Sequence, residues 1–144
     1  MPAKNWPPPG FPLVEGELAV TAEWKLHLPE QFARRIEDGS MVLWRPGLTF
    51  WLSAWGNDNG ESHAMRRKRA KQESSPASFD IRDSSSSGVT LFSYRLLDES
   101  EDGPVESINT LAFSDAGELQ LSAYFDDAKD ESEAWRIVES VAVR

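Results

Sequence analysis

From Val20 to Leu28 hydrophobic and polar residues alternate without a fault, with Val20, Ala22, Trp24, Leu26 and Leu28 on one side and Thr21, Glu23, Lys25 and His27 on the other. This period of two predicts a strand with one buried and one wet face. Pro29 is expected to end it, because proline offers no N–H to a ladder. A second strand is predicted over Phe32 to Glu37, followed by Asp38-Gly39, a strong two-residue hairpin signal, and a third over Ser40 to Arg45. Pro46-Gly47 then turns the chain into Leu48 to Trp55, which completes a meander. If both turns are two-residue loops, Met41, Leu43, Phe50 and Leu52 share one face, and Val42, Trp44, Trp51 and Trp55 share the other. Pro-Gly favours a type II turn, which splays hairpins, so the second register is set less firmly than the first.

After the Asn57-Asp58-Asn59-Gly60 loop, which is expected to cap it, a helix is predicted near Glu61 to Glu73; its few apolar positions, Ala64, Met65 and Ala70, imply that it lies largely exposed. Strands follow at Phe79 to Arg82 and Val89 to Leu97 around a serine-rich turn, then at Val105 to Phe113 and Glu118 to Phe125 around Ser114-Asp115-Ala116-Gly117. Near the C-terminus Ala134, Trp135, Val138, Val141 and Ala142 form a helical stripe, with Asp127, Asp130, Glu131 and Glu133 where the helix dipole favours acids. The expected class is α+β: an antiparallel β-sheet of about six to seven strands with an N-terminal meander, packed by a C-terminal helix and by a second, basic, more exposed helix. Residues 20–144 read as a single domain. Residues 1–19, with five of the nine prolines, read as an extended proline-rich arm, either a loosely strapped terminus or a ligand segment centred on Trp6.

At 144 residues the chain matches one ordinary domain. It contains no cysteine, which removes disulfides, thiol nucleophiles and cysteine-based metal sites, and it has only two histidines, His27 and His63. No signal-like or membrane-spanning apolar run is present, so a cytoplasmic location is expected. The net charge of −9 argues against nucleic-acid binding but is unevenly spread. Arg66, Arg67, Lys68, Arg69 and Lys71 form a basic run, whereas residues 97–144 carry thirteen acids against three bases. No aromatic residue interleaves the basic run, which reads as a solvated helix face bridged to its acidic surroundings or, second, as an electrostatic dock for an acidic partner.

Catalytic patterns are absent: no Gly-x-Ser-x-Gly, no phosphate-cradling glycine loop, and both histidines on wet surfaces. Asp98-Glu99-Ser100-Glu101-Asp102-Gly103 resembles the opening of a calcium loop, but Asn109 stands where a bidentate glutamate is needed, and a solvated acidic turn is the better reading. No enzyme activity, cofactor or metal is expected. Trp24 and Trp135 read as core. For Trp44 and Trp51 core and exposed readings are both open, because only one strongly amphipathic helix is available to cover a face of the sheet.

The order of elements, the Trp24-Lys25-Leu26-His27-Leu28-Pro29 strand followed by Phe32, and the C-terminal helix entered through Tyr124-Phe125-Asp126-Asp127 and running to Ile137-Val138-Glu139-Ser140-Val141 resemble the PsbP-like, Mog-type α+β sandwich family. That resemblance implies a non-catalytic role, as accessory subunit, small-GTPase binder or chaperone of secreted proteins. The expected function is therefore a protein-binding or accessory, chaperone-like module. Trp44, Trp51 and Trp55, with Val42 and Arg35, would contact a protein partner or a twin subunit. The alternative is a carrier that holds a small apolar ligand between the sheet and the C-terminal helix.

Overall fold

The computed structural model describes residues 6–144; the first five residues, Pro2 of the proline-rich arm among them, lie outside the described residues. The chain runs β1 (Leu13–Ala19), β2 (Trp24–Glu37), β3 (Ser40–Arg45), β4 (Leu48–Gly56), α1 (His63–Glu73), β5 (Phe79–Ser86), β6 (Val89–Ser100), β7 (Gly103–Phe113), β8 (Gly117–Phe125), α2 (Ala128–Glu139) and β9 (Ala142–Val143). These strands build one antiparallel sheet in the order β1-β2-β3-β4-β8-β7-β6-β5, with β9 paired to β2. The expected class is thereby corrected. Among the described residues nine strands hold 56% of the residues against 17% in helix, so this is a predominantly antiparallel β protein and not a six-to-seven-strand α+β sandwich.

Two added strands and one merger turn the eight segments read from the sequence into these nine strands. Leu13–Ala19, read from sequence as part of the arm, pairs with β2; Gly16, at φ +79°, sits at a bulge that interrupts its alternation. The two-residue β9 is too short to leave a pattern. Pro29 does not end its strand, because β2 continues through it to Glu37. Val14 pairs with Phe32 but Gly16 with Leu28, which leaves Pro29–Gln31 bulged, while β3 pairs only from Ala33 onward and β9 only at Trp24 and Lys25. Proline thus falls where no ladder bond is required of it.

The turns set the register of the sheet's central strands. Asp38 at φ 51° and Gly39 at φ 83° make the tight β2–β3 connection. Gly47 at φ 85° supplies the left-handed position that a Pro-Gly turn demands, and Arg45 closes on Leu48. Met41 then faces Leu52, Leu43 faces Phe50, and Val42 faces Trp51. On the first face Met41, Leu43, Phe50 and Leu52 join Trp24, Leu26, Phe32 and Leu121 in one buried cluster with Ala134, Trp135, Ile137 and Val138 of α2. Asp127 caps α2 by accepting from the amides of Lys129 and Asp130. Arg45, 9% exposed, pins the start of the helix to the sheet through Asp130 at 2.9 Å and Glu133 at 2.7 Å.

Candidate functional site

The sheet's second face carries the aromatic residues singled out by the sequence. Cross-strand pairing lines up Arg35, Val42, Trp51, Ser122, Asn109 and Tyr94 in one row, and puts Trp44 beside Thr49 and Trp55 beside Glu118. Trp44 and Trp51 are half-buried, and Trp55 is 50% exposed. Val42 is fully buried beneath its larger neighbours, so it supports the surface rather than forming part of it. Neither helix lies over Trp44 or Trp51: α2 packs on the opposite face, and α1 packs beyond Trp55 against β6 and β7. Instead Arg35 lies over both rings, 4.8 Å from the Trp44 centroid and 5.7 Å from that of Trp51, and is itself held by Glu37. Phe11, from the segment before β1, meets Trp44 edge-on at 5.0 Å.

The basic run does not form one patch. Arg66 points inward and is 4% exposed; its guanidinium donates to the carbonyls of Gly117 and Ser114 and stacks over Phe113. Arg67 and Lys71 both pair with Asp83 of β5, and Arg69 pairs with Glu61. Lys68 is left as the one cation of the run with neither an ion pair nor a hydrogen bond among the described residues. The reading as a helix face bridged to its acidic surroundings fits Arg67, Arg69 and Lys71, whereas Arg66 belongs to the interior. Ser62, rather than the Asn57–Gly60 loop, caps α1 by accepting from Met65 N–H.

Beneath the C-terminal half of α1 a cleft of about 450 Å³ opens against β4, β8, β7 and β6, between Trp55, Tyr94, Glu118 and Gln120. Burial pushes the Glu118 carboxyl and the Tyr94 hydroxyl above their usual ranges, against the lowering pull of Arg66 and Arg69 on Glu118. No pattern in the sequence marks this cleft, because its walls come from separate elements.

His63 is more engaged than its place on an exposed helix suggested. Its Nδ1 lies 2.8 Å from Thr90 Oγ1 and its Nε2 3.0 Å from Asp115 Oδ1. Thr90 is buried and its hydroxyl is shared with Ser85, so this line of groups fastens α1 to the sheet and presents no accessible nucleophile. The acidic turn is a tight hairpin in which Ser100 faces Gly103, and no group of three potential ligands gathers a metal site among the described residues. Side chains of α2 and the sheet pack together in the buried cluster, and clefts beside the helix, about 180 Å³ at Trp135, about 270 Å³ at Val141 and about 260 Å³ at Arg136, lie at its margin. No helix of the described residues is long and apolar enough to cross a membrane.

Comparison with known proteins shows the fold and nothing further. No protein-family model and no curated protein matches the chain. A crystal structure of a protein from Bacteroides thetaiotaomicron VPI-5482 is similar with a TM-score of 0.68 at 12% identity, over 91% of this chain and 49% of that one. The chain therefore spans about half the length of this structural relative.

Proposed function

We propose that this protein is a non-enzymatic binding module that engages a protein partner, or a second copy of itself, through the sheet face bearing Trp44, Trp51 and Trp55 with Arg35. The reading rests on one observation: Trp44 and Trp51 stay only partly buried on a face that neither helix covers, with Arg35 stacked over both. Rigid indoles presented on a sheet lose little side-chain entropy on binding and remove much apolar area from water, which is why tryptophan and arginine dominate interface energetics. Buried and paired arginines along α1 weigh against a nucleic-acid surface. An accessory or chaperone-like role, in the cytoplasm, belongs to this proposal.

The test is co-purification from the native host with the wild-type chain and with Trp44→Ser plus Trp51→Ser, alongside sedimentation of both. Loss of a partner, or of a dimer, only in the double mutant that still folds supports the surface. An unchanged set of partners and an unchanged sedimentation coefficient would overturn it.

A further inference from the structure

We propose that the cleft between the C-terminal half of α1 and the second face of the sheet binds a neutral saccharide, with one sugar ring stacked on the Trp55 indole. The cleft holds about 450 Å³, within the range of small-ligand sites, and half of the Trp55 surface is open to it and to solvent. Its charges argue against an ionic ligand of either sign. Both guanidiniums at its edge are already engaged, Arg66 with the carbonyls of Gly117 and Ser114 and Arg69 with Glu61 at 2.7 Å. An anion would thus meet Glu118 and Glu73 with no uncommitted guanidinium to hold it. A cation would approach Glu118 against the positive field of Arg66 and Arg69, which both act on that carboxyl.

What remains uncommitted is hydrogen-bonding capacity. Among the described residues the side chains of Glu118, Gln120 and Tyr94 make no hydrogen bond or ion pair. Together they offer a carboxylate acceptor, an amide that donates and accepts, and a hydroxyl that does both. Polyhydroxylated rings need that mixture on their edges, while their C–H faces need an aromatic plane such as Trp55. Burial, which raises Glu118, also strengthens any hydrogen bond it accepts in the cleft. The site shares Trp55 with the proposed docking face but makes no call on Trp44 or Trp51, whose double substitution tests that reading, so it goes beyond the protein-docking reading and its failure can be told apart from that one's.

The experiment applies the full chain to an array of neutral, sulfated, sialylated and amine-bearing glycans, then measures the best neutral binder by titration calorimetry. Binding concentrated on neutral glycans is expected, weakened at least tenfold by Trp55→Ala and by Glu118→Gln. It should be unchanged by Ile36→Ser, a control at another exposed position. Circular dichroism confirms that each variant folds. No binding on the array, a preference for charged glycans, or neutral-glycan binding that survives both cleft variants would each overturn the proposal.

Discussion

Arg66 donates to the main-chain carbonyl of Gly117 at 2.9 Å, and so ties the one buried stretch of α1 to the β7–β8 hairpin. The same guanidinium reaches Ser114 O and covers Phe113, so a single side chain takes the place of the apolar stripe that α1 lacks. Arg66→Ala leaves the buried Ser114 carbonyl without its donor, removes one of the donors to the Gly117 carbonyl, and uncovers an aromatic ring. Urea denaturation should show a loss of about 2–4 kcal/mol, and the cleft above Glu118 should open as α1 detaches. Lys68→Ala, two residues on, should stay within about 0.5 kcal/mol of wild type. Equal losses for the two variants would refute the assignment of Arg66 to the interior.

Arg45 holds the opposite face together. It is 9% exposed and lies against Asp130 and Glu133 of α2 with Glu30 of β2 close by, so removing the cation leaves nearby carboxylates facing one another in a poorly hydrated space. Arg45→Met is expected to cost about 3–5 kcal/mol. Arg45→Lys should fall between, since an ammonium keeps the charge but cannot form the guanidinium's fork. Adding Asp130→Asn and Glu133→Gln to Arg45→Met should recover part of the loss in the same denaturation assay. The residual deficit measures packing rather than charge.

The sheet's two faces were legible at Met41, Leu43, Phe50 and Leu52 because a period of two between two-residue turns leaves each side chain only one choice of face. The strand count was not, since bulges hide strands: Gly16 breaks the alternation of β1, and Pro29 is tolerated only because its bulge leaves it without a ladder partner. Position on the aromatic face was likewise readable for Trp44, Trp51 and Trp55, but depth was not. Val42 lies on the same face and is wholly covered, and that depends on the bulk of cross-strand neighbours rather than on its own place in the pattern. Arg66 carried one faint signal, its i, i+4 spacing from Ala70, the other buried residue of α1. The cleft at Glu118 left none, because β8 is far in sequence from Trp55 and from α1.

Asp127 sets a pH dependence whose sign follows from its cap. The amide of Asp130, followed by that of Lys129, holds the Asp127 carboxyl below the usual carboxylate range. A carboxyl lowered in the folded state stabilises at pH values above its unfolded pKa, about 3.9, and that contribution is lost as pH falls through the lower folded value. Asp127→Asn keeps an oxygen for the cap but cannot titrate. As pH is lowered from about 6 to about 3, a range that spans the unfolded value, the wild type should lose more stability than Asp127→Asn, measured as the shift in urea midpoint. Parallel curves for the two proteins would show that the cap carries no charge-dependent stabilisation.

Phe11 shields Trp44, and its removal separates the packing role of that indole from its availability to a partner. The rings meet edge-on, with an interplanar angle of 79° and centroids 5.0 Å apart, and Phe11 is itself 42% exposed, so the contact closes one side of Trp44 without burying it. Edge-to-face pairs contribute about 0.5–1.5 kcal/mol, and Phe11→Ala should destabilise the fold by no more than that. Its optical effect should be larger than its energetic one. Acrylamide should quench the tryptophan emission of Phe11→Ala more than that of wild type, and the difference should vanish when both are compared in a Trp44→Phe background. Quenching that rises equally in that background would place the newly exposed ring elsewhere, and Phe11 would then be no guard of the aromatic face.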